Sequence, residues 1–202
     1  MRVQAKYAAI ALIMMFASYS GHALLADTSS APSRFEIGLE FSGIQLPGTS
    51  SFGLGGRAVF NINSALSLEA EGNFFLNDAA PRIQSGGHAT EGLFGAKLGY
   101  RSDRVGVFGK MRPGLIRFSN AIQNATLDLS TPPFLFIQTG RLTRPALDLG
   151  TVMELYPAKH WAWRTDLGDT MIFYGSTNFV GIRIPGERRN NFQFGTGLEY
   201  RF

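Results

Sequence analysis

Phe192-Gln193-Phe194-Gly195-Thr196-Gly197-Leu198-Glu199-Tyr200-Arg201-Phe202 decides the fold. Phe192, Phe194, Leu198, Tyr200 and Phe202 share one parity, with the small Thr196 among them. Gln193, Glu199 and Arg201 share the other with Gly195 and Gly197. A strict period of two makes a β-strand with one apolar and one polar face.

Working outward from it, the same alternation gives eight runs: roughly 34–44, 52–61, 66–76, 92–100, 105–117, 144–156, 161–170 and 191–202. The first sets Phe35, Ile37, Leu39 and Phe41 against Glu36, Gly38, Glu40 and Ser42. The third sets Leu66, Leu68, Ala70, Gly72 and Phe74 against Ser67, Glu69, Glu71 and Asn73. The seventh sets Trp161, Trp163, Thr165 and Leu167 against Arg164, Asp166 and Gly168. Each run is near the ~9–11 residues with which a tilted strand crosses a bilayer.

The connections also alternate. Ile62 to Ala65, Arg101 to Arg104 and Pro157 to His160 are tight links, whereas 45–51, 77–91, 118–143 and 171–190 read as longer loops. Short turns on one side and long loops on the other is the pattern of outer-membrane barrels. Phe35, Phe60, Tyr100, Tyr156, Trp161, Tyr200 and Phe202 gather near the short turns, and Phe41, Phe52, Phe74 and Phe192 near the opposite ends. Two such belts suit rings that settle at headgroup level.

The strand charges fall on the face opposite the apolar one. The acids Glu36, Glu40, Glu69, Glu71, Asp148, Glu154, Asp166 and Glu199 stand against the bases Arg57, Lys97, Lys110, Arg112, Arg164 and Arg201. Facing lipid at the midplane, a Lys or Arg would cost about 2–4 kcal/mol. Facing a narrow lumen, the two signs neutralise each other. The pattern predicts an all-β fold, a closed up-and-down antiparallel eight-stranded transmembrane barrel, with these fourteen side chains as a plug.

Upstream, Arg2 and Lys6 precede an apolar run from Tyr7 to Phe16, followed by Ser18, Ser20, Gly21, His22 and Ala23. A basic start, a short apolar run and a small-residue exit describe a secretory signal. Residues 1–23 are expected as signal peptide, with cleavage as late as Ala26 left open, 24–33 as a short lead and 34–202 as the barrel. The run falls short of the ~20 apolar residues of a spanning helix. Two of the nineteen bases lie in the signal, leaving seventeen against fifteen acids, too slight an excess to argue for nucleic acid. Without cysteine there is neither a disulfide framework nor a thiolate metal site.

The closing strand Phe192–Phe202, the Gly55-Gly56-Arg57 and Leu68-Glu69-Ala70-Glu71-Gly72 strands and the count of eight together resemble the small outer-membrane β-barrel family typified by the membrane domain of OmpA and by OmpX. The resemblance covers the whole mature chain. It implies a Gram-negative outer-membrane protein, monomeric, set in lipid and lipopolysaccharide, with no cofactor. It also implies recognition of the closing strand (Phe192, Phe194, Leu198, Tyr200 and Phe202) by the barrel-assembly machinery. Members of that family differ mainly in their loops, so the implied role is structural or surface-interacting, with an extracellular ligand for the loops. A lipid A-modifying enzyme and a narrow low-conductance pore are the alternatives.

Three local features qualify this reading. Pro113 interrupts the fifth strand, and a proline that cannot donate to the ladder predicts a bulge at Pro113-Gly114. The longest loop holds Phe134-Leu135-Phe136-Ile137, read either as a β-hairpin above the membrane or as an exposed patch. Arg141, Arg144, Arg183, Arg188 and Arg189 would lie near the external rim, placed for lipopolysaccharide phosphates or simply solvated. For lipid A chemistry, only His88 lies on the external side, near Ser85 and Glu91, while His160 falls in a turn on the opposite side. No nucleophile and base share a strand face convincingly, and no His or carboxylate cluster has metal-ligand spacing.

Overall fold

A strand that is apolar on one face and charged on the other can bury the charged face by curling the sheet until its edges meet. In the computed structural model, which describes residues 33–202 except 47, 129 and 131–133, the chain does this. The strands are β1 (Phe35–Leu46), β2 (Thr49–Asn61), β3 (Leu66–Arg82), β4 (Ser85–Arg101), β5 (Val105–Asp128), β6 (Phe134–Ala158), β7 (Trp161–Tyr174), β8 (Thr177–Phe179), β9 (Ile182–Ile184) and β10 (Glu187–Arg201). All but β8 and β9 form a closed antiparallel barrel in the order β1-β2-β3-β4-β5-β6-β7-β10. Closure is made by β1 on β10, in register from Glu36 opposite Arg201 to Ile44 opposite Gln193. The expected signal peptide, its cleavage at Ala23 or Ala26, and the lead up to residue 32 lie outside the described residues.

The apolar parity faces outward. Leu39 is 77% exposed, Leu98 62% and Phe94 59%. An apolar band of that extent all round a barrel is a surface made for lipid rather than water. Phe35, Phe60, Tyr100, Trp161, Tyr200 and Phe202 are outward-facing and exposed at the short-turn end, as are Phe41, Phe52, Phe74 and Phe192 towards the other end. Phe41 stacks on Phe52 at 5.9 Å, and Tyr200 meets Phe202 edge-on at 5.0 Å. Tyr156 departs from its expected place in the lower belt. It has the parity of Glu154, so its ring turns inward and its hydroxyl donates to Glu154 Oε2 at 2.5 Å.

The expected bulge at Pro113 is absent. On the β6 side, pairing runs through Arg112–Asp148, Pro113–Leu147 and Gly114–Ala146 without a step. On the β4 side it breaks after Leu93–Gly114 and resumes at Ala96–Met111 in the same register. The proline therefore omits one ladder bond without shifting the strand. Glycine accommodates the close approach there: a Cβ on Gly95 would lie 2.1 Å from the Met111 carbonyl oxygen and 2.6 Å from Arg112 Cα.

The short turns stand as expected at 62–65 and around 102–104 and 159–160. The opposite ends differ from the sequence reading, because most of the residues assigned to loops extend the strands. At ~3.3 Å per residue, the 24 residues of β5 span roughly 80 Å, far beyond a hydrocarbon core ~30 Å thick. The Phe134–Ile137 segment is the far end of a hairpin with β5, Ala125 opposite Ile137 and Leu127 opposite Leu135. Irregular steps between Phe118 and Ala121 and between Ile122 and Asn124 break the parity that sequence reading relies on.

Candidate functional site: the barrel interior and its external mouth

Inside the barrel the polar parity converges on a common axis. Arg57, on β2, reaches carboxylates from four other strands: Glu40 on β1, Glu71 on β3 at 2.6 Å, Asp166 on β7 at 2.9 Å and Glu199 on β10 at 3.1 Å. Arg164 binds Glu69 at 2.8 Å and Asp166 at 2.9 Å. Arg112 engages Asp148 at 2.6 Å together with Glu71, and Lys110 bridges Asp148 at 2.9 Å and Asp166 at 3.2 Å. These side chains are at most a few per cent exposed, so each charge depends on its partners rather than on water.

At the short-turn end, Lys97 pairs with Glu154 and lies over the Phe108 ring at 4.8 Å. Arg201 binds Glu36 at 3.2 Å and covers the Tyr156 ring at 4.4 Å, which closes this end. Glu36, Glu154 and Glu199 bring carboxylate oxygens within 4.8 Å of one another, the one such grouping among the described residues with the donor set of a cation site. Arg101 contacts Glu36 at 3.8 Å and Glu154 at 3.3 Å, and Arg164 lies 3.6 Å from Glu199, so side-chain cations already occupy that role.

Sequence reasoning missed several interior members. Arg101 reads as part of a turn and Glu91 as part of a loop, yet both are buried in the lumen. Glu91 differs from the other acids in having neutral partners, Gln193 at 2.8 Å and Asn73 at 3.2 Å. Counting two residues at a time from Glu71 through Asn73 would have carried the inward parity to Phe75, and from Glu91 back to Ala89.

Those continuations form a second tier. Above Glu91 the lumen is filled by Ile44, Leu46, Phe75, Ala89, Ile116, Phe118, Ala121, Ala146, Ile172 and Tyr174, one apolar cluster drawn from six of the barrel strands. Phe75, Ile116 and Ile172 are wholly buried. The expected plug of paired charges is therefore only the lower part of the filling.

The external mouth is closed over this tier by contacts that cross it. Gln84, at the tip of the β3–β4 hairpin, donates from its backbone N–H to Ile122 O and from Nε2 to Gly175 O at 2.7 Å. It also accepts from Arg144 Nη2 at 2.7 Å. The β8–β9 turn reaches β5, where Val180 N–H donates to Ala125 O at 3.0 Å. Arg144 is thus occupied within the mouth, whereas Arg141, Arg183 and Arg188 are exposed.

The three groups weighed for lipid A chemistry do not assemble. Ser85 and Glu91 have the inward parity, but His88 has the outward one and lies against the Phe74 ring at 5.9 Å. His160 stacks on Tyr200 at the short-turn end.

No protein-family model and no curated protein matches the sequence. Among solved structures, Neisserial surface protein A aligns with a TM-score of 0.55 at 14% identity, over 86% of this chain and all of that one. The fold is that of the small outer-membrane barrels. Ail of Yersinia pestis (12% identity, TM-score 0.47) and the N-terminal barrel domain of Pseudomonas aeruginosa OprF (12%, 0.46) also align, each over 86% of this chain and the whole of its own.

Proposed function

We propose that this protein resides in the outer membrane of a Gram-negative bacterium as a structural and surface-interaction protein. The observation that carries the reading is the doubly filled lumen, ion-paired below and apolar above, beneath strands that continue well past the lipid band. A tube filled in this way offers no route for a solute. The chemistry available to the outside is instead carried by the hairpins β3–β4, β5–β6 and β8–β9. Arg141, Arg183 and Arg188 are placed to meet lipopolysaccharide phosphates around that rim. The outer face of β10, with Phe192, Phe194, Leu198 and Tyr200, together with Phe202 just after it, is the surface the barrel-assembly machinery would recognise, and the barrel functions as a monomer without a cofactor.

The absence of cysteine makes a clean test available. A Phe136→Cys variant should react with a membrane-impermeant maleimide on intact cells, while Asn63→Cys, in a short turn, should react only after the outer membrane is opened. The opposite pattern would invert the orientation, and labelling of neither site in the outer-membrane fraction would defeat the reading. Planar-bilayer recordings should show no steady conductance, and reproducible single-channel steps would favour the pore alternative.

A further inference from the structure

The β5–β6 hairpin ends in a strand edge that nothing covers among the described residues. Arg117 lies level with the upper aromatic belt, in register with Thr90 and through it with Phe74. From there β5 continues to Asp128, roughly 36 Å along the strand at ~3.3 Å per residue, so the hairpin end stands clear of the lipid band. Phe134, Leu135, Phe136 and Ile137 are each at least half exposed there. They occupy both faces of the hairpin: Leu135 and Ile137 stand opposite Leu127 and Ala125, Phe134 and Phe136 opposite Asp128 and Thr126.

The two long edges of this hairpin differ. The β5 edge is partnered: Ile83 bridges Ile122, Gln84 N–H donates to Ile122 O, and Val180 N–H donates to Ala125 O. On β6, pairing with β7 begins only at Ala146, opposite Ile172. From Phe134 to Thr143 the edge turned away from β5 therefore has no strand beside it among the described residues. Native proteins blunt such edges with Lys, Pro, a bulge or very short length. Here pairing with β5 is unbroken from Asn124–Gln138 to Asp128–Phe134. Phe134-Leu135-Phe136-Ile137-Gln138-Thr139-Gly140 holds neither a charge nor a proline. Aromatic and β-branched residues without charge make a segment that pairs readily with its own copy.

Direction and charge select the partner. Two copies in one membrane run β6 in the same sense, and a parallel pair would set Arg141 beside its own equivalent. Identical edges would also have to slip by one residue, because a parallel ladder places a residue whose amide groups face the neighbour opposite one whose amide groups face away. A copy projecting from a facing cell runs the other way. Antiparallel pairing about a two-fold axis makes the two edges self-complementary. It also carries the Arg141 end of each strand towards the Asp128 end of the other hairpin, opposite in sign.

We propose that the free edge of β6, over Phe134–Thr139, pairs antiparallel with the same edge of a second copy on a facing cell, each barrel remaining single in its own membrane. A segment this short makes a contact below the ~1,000 Å2 of a stable interface, so adhesion comes from many weak pairs acting together. The inference rests on the external placement of the hairpins proposed above, and deepens it by naming a partner and the edge it meets.

Phosphatidylcholine vesicles carrying the purified barrel, mixed with protein-free vesicles of a second colour at low ionic strength, test it by turbidity and two-colour microscopy. Protein-bearing vesicles should cluster with one another and leave the protein-free ones out. Phe136→Lys and Phe136→Glu, at an exposed position outside both tiers of the filling, should each slow clustering about tenfold or more, because like charges then meet across the seam. Vesicles carrying Phe136→Lys mixed with vesicles carrying Phe136→Glu should cluster again, a rescue that a misfolded variant would not give. No clustering of protein-bearing vesicles, recruitment of protein-free vesicles, unchanged clustering in both variants, or failure of the mixed variants to cluster would overturn the pairing. If Phe136→Cys is labelled on intact cells but the vesicles stay apart, only this inference falls; if it is not labelled, the reading beneath it falls as well.

Discussion

Replacing Arg57 by methionine isolates the electrostatics of the interior, because methionine roughly keeps the length of the side chain and removes its charge. Arg57 is the shared partner of Glu40, Glu71, Asp166 and Glu199, with side-chain exposures of 2–4%. Removing one partner of a buried ion pair costs about 3–5 kcal/mol, since the remaining charge can neither pair nor reach water. Of the four carboxylates, Glu71, Asp166 and Glu199 retain Arg112, Lys110 or Arg164, whereas Glu40 has its only salt bridge among the described residues with Arg57. The full penalty therefore falls mainly on Glu40. With a urea slope of about 2 kcal/mol/M, the unfolding midpoint should fall by about 1.5–2.5 M. The assay is built in: Trp161 and Trp163 are the chain's two tryptophans, both outward-facing and 47% exposed, so their fluorescence reports transfer from lipid to water. Adding Glu40→Gln to Arg57→Met removes the stranded charge and should recover a substantial part of the loss, a coupling that a non-specific packing defect would not produce. A single variant within ~0.3 M of wild type, which is about 0.6 kcal/mol at that slope, would refute the dependence on paired burial.

Three further outcomes follow from the same geometry. Because the sheet closes through β1 and β10, unboiled protein in detergent electrophoresis should migrate differently from boiled protein, and identical mobilities would contradict closure. Because His88 faces away from Ser85 and Glu91, lipid A from cells lacking and overproducing the protein should give the same mass spectrum; a lost or gained acyl chain would reverse the non-enzymatic reading. Val180 and Gly181 both hold positive φ (51° and 75°) in the β8–β9 turn, a conformation costly for a β-branched residue. Val180→Asn should relieve about 1 kcal/mol and slow limited proteolysis of this loop roughly fivefold, whereas unchanged cleavage would mean the strain is not what opens the turn.

The barrel was legible because lipid outside and charge inside impose opposite demands on alternate residues, and eight runs obey them. Legibility failed where parity and position pointed in different directions. Tyr156 reads as part of the lower belt by its nearness to a turn, but two residues from Glu154 it shares that parity and points inward. Arg101 and Glu91 flank the run 92–100, although β4 spans Ser85–Arg101, because a turn and a glycine-rich segment mask the continuing strand. The apolar tier was hidden for a different reason. Ile44, Phe75, Ile116 and Ile172 have the polar parity, but hydrophobicity alone cannot tell an inward apolar residue from an outward one. Which acids Arg57 meets was out of reach altogether, since those contacts join strands far apart in sequence through the register and closure of the barrel.

The two tiers also depend on each other. A buried ion-pair network is strong only where water cannot compete with its members, because low local dielectric strengthens paired charges and penalises unpaired ones. The apolar cluster between Glu91 and the mouth keeps external water from the network, and Tyr156 with Arg201 and Glu36 closes the other end. Glu91, held by the amides of Asn73 and Gln193, forms the boundary at which charge gives way to hydrocarbon. A conducting path would have to displace well-packed Phe75, Phe118 and Ile116 and then hydrate charges whose partners come from different strands. Those two steps share no side chain, so no single local movement accomplishes both. Change that alters what the outside meets while leaving the filling intact therefore falls on positions beyond it, the extended hairpins and the arginines around them.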